Sequence, residues 1–276
     1  MEMSKYIKKK LESLISFLKD KKVIIAFSGG VDSSLLGFIS NQYAKETLLI
    51  TEKSLLYPDE EIEEAKKFAD QYNIPHLIIT RNPLTDETFK NNPKNRCYIC
   101  KTGLYNEIIK IKESKNFDII LDGSNIDDLS DYRPGMQALQ ELNICTPYID
   151  FFINKEEIRE ISKFYKLEVQ SKPSMACFSS RIPYNQIINE EKLELIREGE
   201  KFLKNTFNLK QLRVRLHNEK LARIELLSED IPIILNNENI KRITNEFKKL
   251  GFYYITIDLE GYRSGSLNKI LNLEDK

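Results

Sequence analysis

Two groupings of side chains in this sequence could do chemistry: a glycine-serine loop, and a set of cysteines with cations beside them. Ser28-Gly29-Gly30-Val31-Asp32-Ser33 follows the apolar run Val23 to Phe27 and precedes a helical pattern. Glycines let a backbone close around an anion, and a helix starting there offers unpaired N–H groups and the positive end of its dipole. Ser28 and Ser33 add hydroxyl donors, and Asp32 is placed to hold a metal, expected to be Mg2+, that bridges phosphate oxygens. The loop lacks the Gly-Lys-Ser/Thr ending that grips the β and γ phosphates for γ-phosphoryl transfer. A Gly-Gly pair alone is an ordinary turn, but the whole string at a strand-to-helix junction favours an anion site.

Four cysteines divide by context. Cys97 and Cys100 form a CxxC flanked by Arg96 and Lys101, cations that would favour thiolates. Alone, the pair is compatible with half a zinc site, a redox couple or two chance helix cysteines. Cys177 is followed by Ser179, Ser180 and Arg181, a setting for an activated thiolate or an iron ligand near an anionic substrate. Cys145 sits among apolar and turn residues and reads as a small buried hydrophobe.

The elements that must position these groups follow from periodicity. Apolar residues recur every three or four positions from Met3 to Leu18, predicting an amphipathic helix. Short apolar runs at 23–27, 47–51, 76–80 and 118–122 then alternate with helical patterns at 33–43, 59–72 and 98–115. That alternation implies a doubly wound parallel sheet, with a ligand crevice beside Thr51 to Ser54 and Asp122 to Asn125 at the carboxyl ends of the strands. Beyond about residue 170 the pattern changes to a helix at 190–204, a hairpin of 212–217 and 221–226 turned at Asn218-Glu219, and an alternating strand at 252–259. The expected fold class is therefore α/β with a smaller C-terminal α+β domain, divided as 1–172 and 173–276.

The 276 residues carry 42 Lys+Arg against 42 Asp+Glu, which argues against a dedicated nucleic-acid binder. The one short basic run, Lys8 to Lys10, lies on a helical pattern and reads as a solvated face. No apolar stretch approaches the length of a membrane span, and the N-terminal segment does not resemble a signal peptide. A cytoplasmic protein with reduced thiols is expected.

The loop resembles the pyrophosphate loop of the ATP pyrophosphatase superfamily, whose members cleave ATP to AMP and pyrophosphate while adenylylating an acceptor oxygen. Across nearly its whole length the chain is similar to the LarE family, ATP-dependent sulfur transferases that make the nickel-pincer nucleotide of lactate racemase. The strings carrying the likeness are SGGVDSS at 28–34, RCYICK at 96–101, DGSNIDDLSDYRPGMQAL at 122–139, KPSMACFSSRIPY at 172–184, LRVRLH at 212–217 and DLEGYRSGSLN at 258–268.

The resemblance implies adenylylation of a pyridinium carboxylate mononucleotide, followed by displacement of AMP by sulfur. One form of the family sacrifices the sulfur of the cysteine matching Cys177. The other uses three cysteines to hold a [4Fe-4S] cluster carrying extra sulfide. Cys97, Cys100 and Cys177 point to the cluster form. Three thiolates leave one iron without a protein ligand, whereas structural zinc would need a fourth ligand such as Cys145, His76 or His217.

Within that pattern ATP is expected at Ser28, Gly29, Gly30, Asp32, Ser33, Asp122 and Asn125, with its adenine near Thr51 to Ser54 and Asp122 to Asn125. Arg213 and Arg215, two apart on one strand face, are expected to hold the substrate phosphate with Ser180 and Arg181. Asp127, Asp128, Asp131 and Arg133 crowd the loop after the fourth strand as helix caps or ATP contacts. Self-association is also expected. The competing readings are a tRNA thiolase, which would call for a basic face, and a nucleotide-responsive metal binder that turns nothing over.

Overall fold

A computed structural model describes residues 3–130, 134–172 and 176–263. The chain separates into two compact units, Met1–Pro83 with Asn95–Met175, and Leu84–Lys94 with Ala176–Lys276.

The first unit is a four-stranded parallel sheet in the order β3-β2-β1-β4, built from β1 Lys22–Ala26, β2 Glu46–Lys53, β3 His76–Thr80 and β4 Ile119–Leu121. Alternate residues of β1, β2 and β4 feed two different cores, which is why those runs are apolar throughout. Val23, Ile25, Leu49 and Leu121 pack with Leu14, Leu35, Phe68 and Ile158 from the helices Lys5–Leu18, Val31–Tyr43, Asp59–Gln71 and Lys155–Phe164. Ile24, Leu48, Ile50 and Ile120 pack with Tyr105, Ile108 and Leu139 from the helices Arg96–Ser114 and Gly135–Glu141.

The chain leaves β1 toward β2 and β3, then returns to add β4 on the other side. The strand order therefore reverses between β1 and β4, and ligands of such sheets bind in the crevice outside the carboxyl ends at that point. Cys145 continues the sheet edge through a parallel bridge to Leu121 and packs against the first core. Burial raises the pKa of its thiol, as suits an inert packing residue.

The second unit carries a three-stranded sheet of β5 Leu212–His217, β6 Leu221–Leu226 and β7 Tyr254–Ile257, in the order β5-β6-β7. The β5-β6 hairpin turns through a single 3-10 turn, Asn218–Lys220, and β7 runs parallel to β6 after the helix Asn237–Leu250. Segment 84–94 joins this unit because the Asn92 side-chain amide donates to the carbonyls of Ile182 (3.2 Å) and Pro183 (2.8 Å). One sheet face is apolar: Leu212, Val214, Ala222 and Ile224 are essentially sealed from solvent. Phe247 stacks on Phe252 at 5.1 Å, and the helix Glu190–Phe207 presents Gly199 to the Phe247 ring. Among the described residues no helix is long and apolar enough to cross a membrane.

Because Phe247 is fully buried, Phe247→Ala leaves a cavity that the rigid sheet cannot fill. A urea unfolding series should show a loss of about 3–5 kcal/mol for that variant.

Candidate active site

The SGGVDS loop leaves β1 beside β4, at the reversal of strand order. Gly29 has φ +69°, a left-handed conformation that a side chain would strain, and Gly30 is extended and caps the helix Val31–Tyr43. Two hydroxyls brace the turn. Ser33 Oγ donates to the Gly30 carbonyl (3.2 Å) and accepts from the Ser28 N–H (3.2 Å), while Ser28 Oγ accepts from the Gly30 N–H (3.3 Å) and lies 3.1 Å from Ser33 Oγ.

Asp32, in the first turn of that helix, forms an ion pair with Lys155, and Tyr148 donates to its backbone carbonyl at 3.1 Å. Its Oδ1 is buried with no hydrogen-bond partner among the described residues. Burial raises the carboxyl's pKa, against the opposing pull of Lys155.

Asp122 and Asn125 shape the loop after β4. Asp122 Oδ1 accepts from the N–H (2.8 Å) and hydroxyl of Ser124, and Oδ2 from Lys101 Nζ (3.0 Å) and the Tyr105 hydroxyl. Burial pushes this carboxyl up, but Lys101 and the hydrogen bonds outweigh it and hold the pKa at about 2. Asn125 accepts from the Asp127 N–H (3.0 Å), and its own N–H donates to Asp128 (3.0 Å). Asp127 in turn accepts from the Lys155 N–H at 2.8 Å. Gly123 presses this loop against the phosphate loop, since a Cβ there would stand 3.0 Å from the Ser33 nitrogen. Asp131 and Arg133 lie outside the described residues.

Thr51, in the expected adenine neighbourhood, has an internal partner on each side. Its hydroxyl donates to the Phe27 carbonyl (2.8 Å), so the contact with His76 Nε2 (2.8 Å) is one in which the imidazole donates. His76 thus has a structural task, and burial lowers its pKa. His217 closes β5 half-buried, with its pKa lowered by burial and by Arg223 and Arg215.

Cys97 and Cys100 occupy the first turn of the helix Arg96–Ser114, one exposed and one half-buried, at a spacing that puts both on one face. Lys101, expected to act on those thiols, instead pairs with Asp122, and Arg96 is buried.

In the second unit Cys177 precedes a 3-10 turn, Phe178–Arg181, and three donors converge on its carbonyl: the Ser180 N–H (3.0 Å), the Ser180 hydroxyl (2.8 Å) and Arg181 Nη1 (3.0 Å). Arg181 is fully buried and makes a two-point pair with Glu200 at 2.9 and 3.0 Å. Burial pushes the Glu200 carboxyl up, but Arg181 outweighs it and the net pKa is lowered. Arg181 therefore fixes the thiol-bearing turn from inside.

Arg213 and Arg215 share the polar face of β5 with Arg223 and Glu225 across the hairpin. Arg215 donates to Glu225 (2.7 Å) and to the Ser180 carbonyl (2.6 Å), while Arg213 lies over the Tyr262 ring. Burial and the neighbouring Arg181 bring the Arg213 pKa down to about 10. Glu200 was legible in the sequence as a carboxylate on the apolar stripe of Leu193, Ile196 and Leu203. Nothing in the sequence around Lys101, Lys155 or Lys172 names the carboxylates they meet.

The phosphate loop and the CxxC thus belong to the first unit, and Cys177 with the arginine face to the second. Among the described residues no three His, Cys, Asp or Glu side chains gather as a metal-ligating group.

A family model described as NAD synthase matches residues 3–109, which include both the loop and the CxxC. The chain is 36% identical to an uncharacterized protein of Synechocystis over 96% of this chain and 99% of that one. It is 38% identical to an uncharacterized protein of Methanocaldococcus jannaschii over 95% and 98%. It is also 31% identical, over 95% of both chains, to a pyridinium-3,5-bisthiocarboxylic acid mononucleotide synthase of Lactiplantibacillus plantarum. The chain belongs to the LarE family. As a LarE-family protein it is an ATP-using sulfurtransferase, and its length matches that of its relatives almost end to end.

The Asp122 carboxylate supplies a pH test. Its folded pKa lies below the ordinary value of 3.8, so its contribution to stability is present above about pH 4 and lost as pH falls toward 2. In paired urea titrations the stability gap between the parent and Asp122→Asn should be largest near neutrality, about 2 kcal/mol from this linkage, and close over that acid window.

Proposed function

We propose that this LarE-family protein activates the carboxylate of a pyridinium carboxylate mononucleotide with ATP and exchanges the activated oxygen for sulfur. A carboxylate oxygen attacks the α phosphorus of ATP, pyrophosphate leaves, and an acyl adenylate remains. A sulfur nucleophile then attacks the acyl carbon, AMP leaves, and a thiocarboxylate results. The carrying observation is the braced SGGVDS loop at the β1–β4 reversal in a chain alignable end to end with the mononucleotide synthase relative.

The residues divide the work. Loop N–H groups and the helix start bind the departing pyrophosphate, with Ser28 and Ser33 keeping the turn open. Asp32 is the Mg2+ ligand: its buried Oδ1, without a partner among the described residues, fits a hard cation, which would neutralise charge on the phosphates. Arg213 and Arg215, with Ser180 beside them, attract the substrate phosphate. Around β5 and β6 the described ion pairs join Arg181 to Glu200, Arg215 and Arg223 to Glu225, and Arg223 to Asp258, and Arg181 and Arg215 stand close enough to Arg213 to help lower its pKa. Arg181 serves that site by holding the Cys177 turn.

Cys97, Cys100 and Cys177 suit a [4Fe-4S] cluster by donor chemistry. Thiolates are soft ligands, three of them leave one iron open, and the first two share one face at the start of a helix, one exposed and one half-buried. Bound there, the cluster would supply a labile sulfide as the transferable sulfur.

Anaerobic protein reconstituted with iron and sulfide, then given ATP, the pyridinium substrate and excess free sulfide, should release AMP and pyrophosphate and form thiocarboxylate over several turnovers. Cys97→Ala should lose the brown absorbance and sulfur transfer while keeping ATP binding. Sulfur transfer by Cys97→Ala at the parent's rate, with Cys177 found as dehydroalanine by mass spectrometry, would replace the cluster with sacrificial transfer. Absence of AMP and pyrophosphate release would sink the enzymatic reading itself.

A further inference from the structure

We propose that Lys172 is a positioning residue for the phosphate loop, its ammonium holding the Gly29 carbonyl away from the bound anion so that the loop's N–H groups face the phosphates. The inference deepens the ATP-using reading of the loop and rests on it.

A backbone loop that cradles an anion must direct its N–H groups inward, and its carbonyl oxygens, which repel phosphate, outward. Gly29, at φ +69°, is where the chain makes that reversal. Its carbonyl accepts from Lys172 Nζ at 3.1 Å, from a residue 143 positions later in the chain. The same ammonium meets Glu61 and Glu64, each at 2.7 Å, so its three donors match three acceptors. Glu61 and Glu64 come from the helix Asp59–Gln71, whose Ala65 lies against Gly29; a Cβ on that glycine would sit 3.5 Å from the Ala65 methyl. Burial works against the charge on Lys172, yet the two carboxylates outweigh it, and the group stays protonated.

The lysine is itself anchored. Arg159 donates to the carbonyls of Gln170 and Lys172, fixing the backbone from which the ammonium reaches the loop. The Lys172 side chain is only 15% exposed, so its stem cannot wander between alternative partners. Neither carboxylate lies in the motif that marks the loop, and nothing else assigned to the reaction uses Lys172.

The test measures binding of inorganic pyrophosphate and of adenosine to the full-length protein by titration calorimetry, in the presence of Mg2+. Lys172→Met keeps the length of the stem and removes the ammonium. It should weaken pyrophosphate binding about tenfold or more and leave adenosine binding unchanged, because only the pyrophosphate reads the orientation of Gly29. Lys172→Arg, which keeps a cation, should recover most of the loss. Methionine would leave Glu61 without its counter-charge, so Lys172→Met with Glu61→Gln is the companion. That pair should show the same selective loss with a melting midpoint near the parent's.

Pyrophosphate binding by Lys172→Met as tight as the parent's would overturn the assignment. So would a parallel loss of pyrophosphate and adenosine affinity in the double variant, which would mark Lys172 as a general stabiliser. A parent that binds neither ATP nor pyrophosphate would sink the nucleotide reading of the loop, a failure distinct from either.

Discussion

The unsatisfied N–H groups at the start of the helix Val31–Tyr43 are the constraint around which the first unit is arranged. A helix beginning inside a sheet crevice leaves donors and partial positive charge that water or an anion must meet. The surroundings keep that end open and oriented. Ser28 and Ser33 tie the turn to itself, Lys172 takes the Gly29 carbonyl, and Tyr148 takes that of Asp32. Gly123 lets the loop after β4 come within backbone distance of Ser33 without filling the space.

Carboxylates near such a site would repel a polyphosphate if left bare, and three of them here are met by a cation. Asp32 has Lys155, Asp122 has Lys101, and Glu61 has Lys172. The pairings differ in consequence. Asp122 receives four hydrogen bonds and stays ionised far into acid, so it acts as a rivet between the CxxC helix and the loop after β4. Asp32 keeps one buried oxygen without a partner among the described residues, and its charge is opposed by burial. Satisfied polar networks rigidify, whereas an unsatisfied buried acceptor is a place where a ligand gains most.

The second unit solves a related problem with arginine. Cys177 has to be presented from an irregular turn, and irregular backbone is held only if its carbonyls are bonded. Arg181 does this from within, paired with Glu200, which also accepts from the Val214 N–H of β5 at 3.0 Å. One buried carboxylate thereby links the helix Glu190–Phe207, the thiol turn and the edge of the arginine-bearing sheet. Removing either partner of such a pair strands a charge in the interior, which typically costs about 3–5 kcal/mol.

The parallel sheet was legible in the alternation of apolar runs with helical periods, because strands buried on both faces and amphipathic helices leave period signatures that no tertiary context is needed to read. The SGGVDS loop, the CxxC and the thiol turn were equally plain, being contiguous. What the sequence could not determine was the partner of each charge. Arg181 reads as a phosphate ligand beside a cysteine, but folding turns it inward to Glu200; Lys101 reads as a companion of Cys100, but the helix aims it at Asp122. Nothing local to Lys155 or Lys172 names their partners, since these carboxylates and carbonyls lie more than a hundred residues away. Backbone conformation and periodicity are set within a few neighbouring residues, so sequence alone determined the loop and the layers. Electrostatic pairing is set by proximity in space, and only the tertiary structure decided which cations serve a ligand and which hold the chain.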